Sequence, residues 1–212
     1  MKLGIIGYGL RISGLLEHFR HKAQDLVVCG IVDRDPEAAR LRLPEDIRAT
    51  TKFFSSMEEL FRQSKPDALV IGTRCDSHFA LAIEAAGYGV PLFLEKPVAI
   101  NLDQAIALES AFQKSSSSVL VSFPLRTSAL CRRAKQLLDQ GAVGPVEHIL
   151  ATNYVSYGSV YFDTKFRDYS VTHGLFLQKA THDFDYLMWL AGASIVRVGV
   201  RWSPKFRPAV KL

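Results

Sequence analysis

Two glycines one residue apart, Gly7 and Gly9, stand directly behind the apolar run Leu3-Gly4-Ile5-Ile6, and Asp33 closes the next apolar run. A strand ending in Gly-x-Gly turns sharply, and the helix that follows offers unpaired N–H groups and a positive dipole end to an anion. A carboxylate at the end of the next strand accepts hydrogen bonds from the hydroxyls of a ribose. The spacing therefore points to a cleft for the pyrophosphate and ribose of a nicotinamide dinucleotide. Gly7, Tyr8, Gly9, Leu10 and Arg11 form the turn, with Asp33 and Arg34 at the ribose. The third fingerprint position departs from the pattern: Ile12 stands where glycine is expected, and Gly14 follows two residues on. Taken alone, the loop also reads as a plain glycine-rich strand-to-helix turn.

Up to residue 122 short apolar runs alternate with amphipathic stretches. Strands are expected over 2–6, 26–32, 50–54, 68–71, 91–94 and 119–121. Between them fall helices over 11–22, from Asp35-Pro36, from the Ser56-x-x-Glu59 capping box to 63, over 77–86, and from Asn101 to 113. Strands linked by helices and never by hairpin turns require right-handed crossovers and a parallel sheet. Residues 1–122 thus read as an α/β unit, a doubly wound, Rossmann-type parallel sheet.

The pattern changes after Phe123-Pro124. A helix over 128–140, a long strand over 146–155, an irregular and mobile loop over 156–174, a helix over 175–190 and a strand over 195–202 are expected. Residues 123–212 read as an incomplete α/β domain with an open, mainly antiparallel sheet. Two strands are few for a sheet, which usually needs about three for independent stability.

Composition removes several classes of function. The formal charge is +5, and the 26 basic residues are scattered without aromatic interleaving, which argues against a nucleic-acid face. No apolar stretch approaches the roughly 18 residues of a membrane span, so no membrane partner is expected. Cys29, Cys75 and Cys131 show no metal or CxxC spacing; reduced thiols and a cytoplasmic setting fit them best. No metal site is expected, since His182 lacks a second histidine at helical spacing.

Two further constellations carry chemistry. Glu95-Lys96-Pro97 follows the fifth strand, at the edge of a parallel sheet where ligands bind. A lysine there can hydrogen-bond a hydroxyl and relay its proton. Lys179-x-x-His182-Asp183-x-Asp185 puts Lys179 and His182 on one helix face, and a histidine suits reversible removal of a hydroxyl proton. A third loop, Thr73-Arg74-Cys75-Asp76-Ser77-His78, should flank the nicotinamide side, with Ser77 as helix cap and His78 packing beneath the cofactor.

At these residues, together with Arg126, Gly141-Ala142-Val143-Gly144 and His182-Asp183-Phe184-Asp185, the chain resembles the GFO/IDH/MocA oxidoreductases (glucose–fructose oxidoreductase, inositol dehydrogenase and relatives). The resemblance covers nearly the whole sequence. It implies NAD or NADP as cofactor, hydride transfer at a carbinol carbon of a sugar, cyclitol or small polyol, and a homodimer or homotetramer built through the C-terminal sheet. Lys96 and His182 become the proton-relay pair, Lys179, Arg126 and Asp183 substrate contacts, and Thr73, Arg74, His78 and Glu95 cofactor neighbours. Asp33 favours NAD, because a carboxylate repels a 2′-phosphate; Arg34 or Arg11 would compensate and admit NADP.

Three departures qualify this. Many members carry an acid four residues before the histidine, where this chain has Gln178. Arg74 and Cys75 replace the more usual proline and asparagine. Family chains also run longer, so a partial substrate domain is expected. A dinucleotide-binding regulator or scaffold without turnover, and a glycosidase that uses NAD transiently, remain alternatives.

Overall fold

The computed structural model describes residues 1–154, 159, 161 and 163–199. Six strands form one parallel sheet in the order β3-β2-β1-β4-β5-β6: β1 (Lys2–Ile6), β2 (Val27–Val32), β3 (Phe53–Phe54), β4 (Ala68–Ile71), β5 (Leu92–Leu94) and β6 (Val119–Val121). Strand order reverses between β1 and β4, and the ligand crevice of such sheets opens beyond the strand ends at that point.

Side-chain alternation divides the core. Leu3 and Ile5 of β1 and Val70 of β4 pack with α1 (Leu10–Lys22) and α2 (Pro36–Arg42) on one face. Ile6, Leu69 and Ile71 face α4 (Met57–Ser64), α5 (Cys75–Ala86) and α6 (Leu102–Lys114) on the other. Both faces are covered, which is why these strands read as unbroken apolar runs. Asp35, Ser56 and Asn101 each cap a helix by accepting a backbone N–H three residues on. Glu59 completes the capping box on Ser55, accepting from its backbone N at 2.9 Å. A single turn, α3 (Glu45–Arg48), was not expected, being too short to show a period. Helix α5 begins at Cys75, two residues before the expected cap at Ser77.

The second region departs from expectation. A 3-10 turn (Pro124–Thr127) leads into α7 (Ala129–Asp139), followed later by a 3-10 turn (Lys165–Arg167) and the single-turn α8 (Tyr169–Thr172) against α5. The expected helix over 175–190 splits into a π-helical turn (Phe176–Ala180) and α9 (Thr181–Ala191). Residues 146–154 and 195–199 form no strand, so the open antiparallel sheet is absent among the described residues. A strand exists through its ladder, and neither segment pairs with a neighbour among the described residues. Residues 155 and 200–202, the ends of those expected strands, lie outside the described residues, as do 156–158, 160 and 162 of the expected mobile loop.

The irregular fingerprint residue has a partner in space. A Cβ at Gly72 would lie 2.1 Å from Cγ1 and 2.3 Å from Cδ1 of Ile12, which is fully buried. The glycine that lets the first helix approach the sheet has thus been placed on β4's exit instead of on α1. Gly72→Ala should cost about 1–3 kcal/mol by overpacking. Combined with Ile12→Ala, thermal unfolding should show the double variant more stable than the sum of the single costs by a similar amount. Strict additivity would refute the pairing.

Candidate functional site

The glycine turn is built by backbone geometry. Gly7 has φ +82°, and a Cβ there would sit 2.6 Å from Thr73 Cγ2 and 2.9 Å from the Thr73 backbone. Gly9 caps α1 without a side-chain hydrogen bond, and a Cβ at Gly9 would meet no protein atom within 4 Å. One Gly is demanded by the protein's own packing; the other leaves space in front of a helix N-terminus, as close approach of phosphate requires.

Asp33 fixes the turn from the side. Its Oδ2 accepts the Tyr8 backbone N–H at 2.6 Å and its Oδ1 accepts that of Asp35 at 2.8 Å. The carboxylate borders a cleft of about 550 Å³ together with Gly7, Gly9, Arg34, Thr73 and Arg74. That volume is within the usual range for ligand sites, ~300–1,000 Å³. Ala38 and Arg42, one turn apart on α2, line the same cleft. Neither Arg34 nor Arg42 has an ion-pair or hydrogen-bond partner among the described residues, whereas Arg74 lies 3.7 Å from Asp76. Arg42 was missed in the sequence; its i, i+4 relation to Ala38 was the available signal.

Several expected cofactor neighbours do other work. The Tyr8 side chain is fully buried in the core, its hydroxyl has no hydrogen-bond partner, and burial raises its pKa. Only the Tyr8 backbone belongs to the turn. Leu10 is 81% exposed and borders no part of this cleft. Arg11 does not border it either: its Nε donates to the buried Glu95 at 2.9 Å, and Nη2 lies 3.2 Å from Ser122 Oγ. Glu95 also accepts from Ser122 Oγ at 2.8 Å. These contacts bind the starts of α1 and of the loops after β5 and β6. His78 is buried, with Nδ1 2.7 Å from the Pro97 carbonyl and Nε2 3.2 Å from that of Thr73. Burial lowers its pKa, and the Pro97 and Thr73 carbonyls that face its two nitrogens oppose the shift.

Lys96 extends from the loop after β5 to the main-chain carbonyl of Gln178, in the π-helical turn. Burial pulls the ammonium below its ordinary pKa; Lys179 and Arg11 add to this, and Cys75 and Glu95 oppose it. His182, on the first turn of α9, is held at a pKa of about 4 by burial first, then by the charges of Lys96 and Lys179. It is neutral at pH 7. Lys96 and His182 are therefore brought into one electrostatic neighbourhood from opposite halves of the chain.

The remaining expected substrate contacts divide. Lys179 and Asp183 border a small pocket of about 170 Å³ with Leu175 and Phe176. Asn153, which also lines it and was not anticipated, donates to both Asp183 oxygens at 3.0 Å. Arg126 forms a two-pronged pair with the buried Asp185, Nε to Oδ2 at 2.9 Å and Nη2 to Oδ1 at 2.7 Å. Its fork is directed at α9, which it anchors. Among the described residues no metal-binding cluster occurs, and no helix is long and apolar enough to cross a membrane.

Comparison with known proteins agrees with this geometry. Residues 1–123 match the model of an oxidoreductase family with an NAD-binding Rossmann fold, and residues 131–211 match the GFO/IDH/MocA C-terminal domain. YteT of Bacillus subtilis (strain 168), named an oxidoreductase, is 27% identical over 87% of this chain and 44% of its own length. Inositol 2-dehydrogenase of Ralstonia nicotianae is 25% identical over 99% of this chain and 60% of its own length. The WlbA dehydrogenase of Bordetella pertussis, solved with NADH and UDP-GlcNAcA, superposes with TM-score 0.72 at 25% identity, covering 89% of this chain and 57% of its own. Scyllo-inositol dehydrogenase of Lactobacillus casei shares the fold, with TM-score 0.78 at 22% identity over 91% of this chain and 56% of its own. The chain thus spans about half the length of the relatives it matches. Matched by family models over residues 1–123 and 131–211, the chain is a member of the GFO/IDH/MocA family of NAD-binding Rossmann oxidoreductases.

Proposed function

We propose that the chain is an NAD(P)-dependent dehydrogenase or reductase acting on a CH–OH group of a sugar, cyclitol or similar small polyol. The observation that carries this is the meeting of two groups at one sheet edge. The Gly7–Gly9 turn and Asp33 open the cleft, and Lys96 reaches across to the segment that bears His182. The residues suit the dinucleotide: the uncapped N-terminus of α1 and the open space at Gly9 for the pyrophosphate, and Asp33 for a ribose. When bound, the nicotinamide would supply or accept the hydride. Lys96 and His182 manage the proton of the substrate hydroxyl, and Lys179 and Asp183 orient the polyol. A relative named for inositol, and another solved in complex with UDP-GlcNAcA, support that substrate class.

In this reading residues 1–122 bind dinucleotide and residues 123–212 contribute part of a substrate domain. The 146–154 and 195–199 segments would join an open antiparallel sheet once partner strands are available, the same sheet that would build a homodimer or homotetramer. The setting is cytoplasmic.

Two measurements test the proposal. Lys96→Met should lower turnover by about 10²–10⁴-fold, as expected for loss of an acid–base group, with dinucleotide affinity little changed; unaltered turnover removes Lys96 from the chemistry. By fluorescence titration the native chain should prefer NAD to NADP. Arg42→Ala, and separately Arg34→Ala, should weaken NADP about tenfold while sparing NAD, the loss of roughly 1.4 kcal/mol of ionic contact. Equal weakening of both nucleotides would show that these arginines do not meet a 2′-phosphate.

A further inference from the structure

The two ring nitrogens of His182 have different surroundings. Nδ1 is buried and has no hydrogen-bond partner, while the ring meets Phe123 edge-on with centroids 6.0 Å apart. Position 178 lies one helical turn earlier on the same face, where an acceptor for an Nδ1–H would stand. Gln178 occupies it and is buried, but its Nε2 donates to the Phe166 carbonyl at 3.3 Å and its own main-chain carbonyl receives the Lys96 ammonium. No hydrogen bond joins Gln178 to the imidazole among the described residues.

That arrangement selects a tautomer. A neutral imidazole carries one N–H and one lone pair. A buried N–H without an acceptor is rarer in folded proteins than an under-used acceptor, and leaving a donor unpaired costs about 1–3 kcal/mol. Placing the lone pair at Nδ1 avoids this penalty and leaves the proton on Nε2. Protonating the ring would add an orphaned N–H at Nδ1 in the field of Lys96 on the β5 loop, Lys179 on its own segment and Arg11 on α1, with Glu95 opposing.

We propose that His182 is locked as the Nε2–H tautomer, so that it donates a hydrogen bond to the oxygen of a bound substrate and does not accept its proton. The proton is then exchanged at Lys96 Nζ. The assignment of roles rests on the oxidoreductase reading above; the tautomer does not.

The test is long-range ¹H–¹⁵N NMR on the intact chain with labelled histidines, His182 being identified by the signals lost in His182→Gln. In the native chain at neutral pH, Nδ1 should resonate as the unprotonated nitrogen and Nε2 as the protonated one, and this should persist to about pH 5. Gln178→Glu supplies the absent acceptor, and should move the proton to Nδ1 and raise the ring's midpoint by at least about one pH unit. A protonated Nδ1 in the native chain overturns the proposal, and so does a native midpoint near the ordinary ~6.5. Should Gln178→Glu fail to fold, the native spectrum decides alone. A chain that shows the expected tautomer yet binds neither NAD nor NADP would sink the oxidoreductase reading and leave the tautomer standing.

Discussion

The approach of the Gly7 turn to Thr73, across the point where strand order reverses, is the contact on which the site depends. Gly7 lies in the left-handed region, where the Cβ of any other residue would meet Thr73 at 2.6–2.9 Å. The β1 and β4 exits are held together by Gly72 N donating to Ile6 O at 2.9 Å, and the β1 and β2 exits by Gly7 N donating to Val32 O at 2.8 Å. Two glycines on neighbouring strands thus allow backbones to pass at distances that side chains forbid. The cleft exists because the protein has removed atoms there, and Ile12 refills the space beneath it with hydrophobic volume.

The same sheet edge is held by buried polar contacts. Glu95 is almost wholly buried, and one of its oxygens accepts from both Arg11 and Ser122. Removing one partner of a buried ion pair leaves a charge in a poor solvent, at a cost of about 3–5 kcal/mol. The Arg11 side chain is half exposed, however, so water replaces part of what the pair supplies. The contribution is chiefly positional: α1's first turn and the loop that presents Lys96 cannot move independently. His78 does likewise for the Thr73 and Pro97 loops. Arg11, Glu95 and His78 thereby brace the loops around the cleft.

The sequence was most legible where one local rule decided the outcome. The period of apolar runs in a sheet covered on both faces gave all six strands of the first domain, and cap residues Asp35, Ser56 and Asn101 fixed three helix starts. Illegible were the pairings of charged side chains distant in sequence. Arg11 with Glu95 and Arg126 with Asp185 lie 84 and 59 residues apart, and nothing along the chain says whether a guanidinium faces a ligand or a carboxylate. Over 146–154, the described part of the strand expected at 146–155, no strand forms for a related reason: alternation describes a side-chain pattern, whereas strand formation needs a neighbour that supplies hydrogen bonds. The π-helical turn at Phe176–Ala180 left no periodic trace either, since it adds only one residue per turn to an otherwise helical run.

That turn links the two halves. A regular helix accepts hydrogen bonds through its interior carbonyls, leaving few for a side chain; here the Gln178 carbonyl, within the π-helical turn, receives the Lys96 ammonium. The Arg126–Asp185 fork makes a second tether, on the next turns of α9. Between these two points lies His182, held from residues 1–122 through Lys96 alone of the two and with no hydrogen-bond partner at its Nδ1. Because the lysine is held by a main-chain atom, its placement does not depend on the side chain at 178. The side chain at 178 can then bear on the imidazole separately from the lysine: an acid there would orient and charge the ring, and glutamine, which donates to the Phe166 carbonyl, leaves the ring neutral and donating through Nε2. One residue type, read against one orphaned nitrogen, therefore separates how the site is assembled from how its proton is handled.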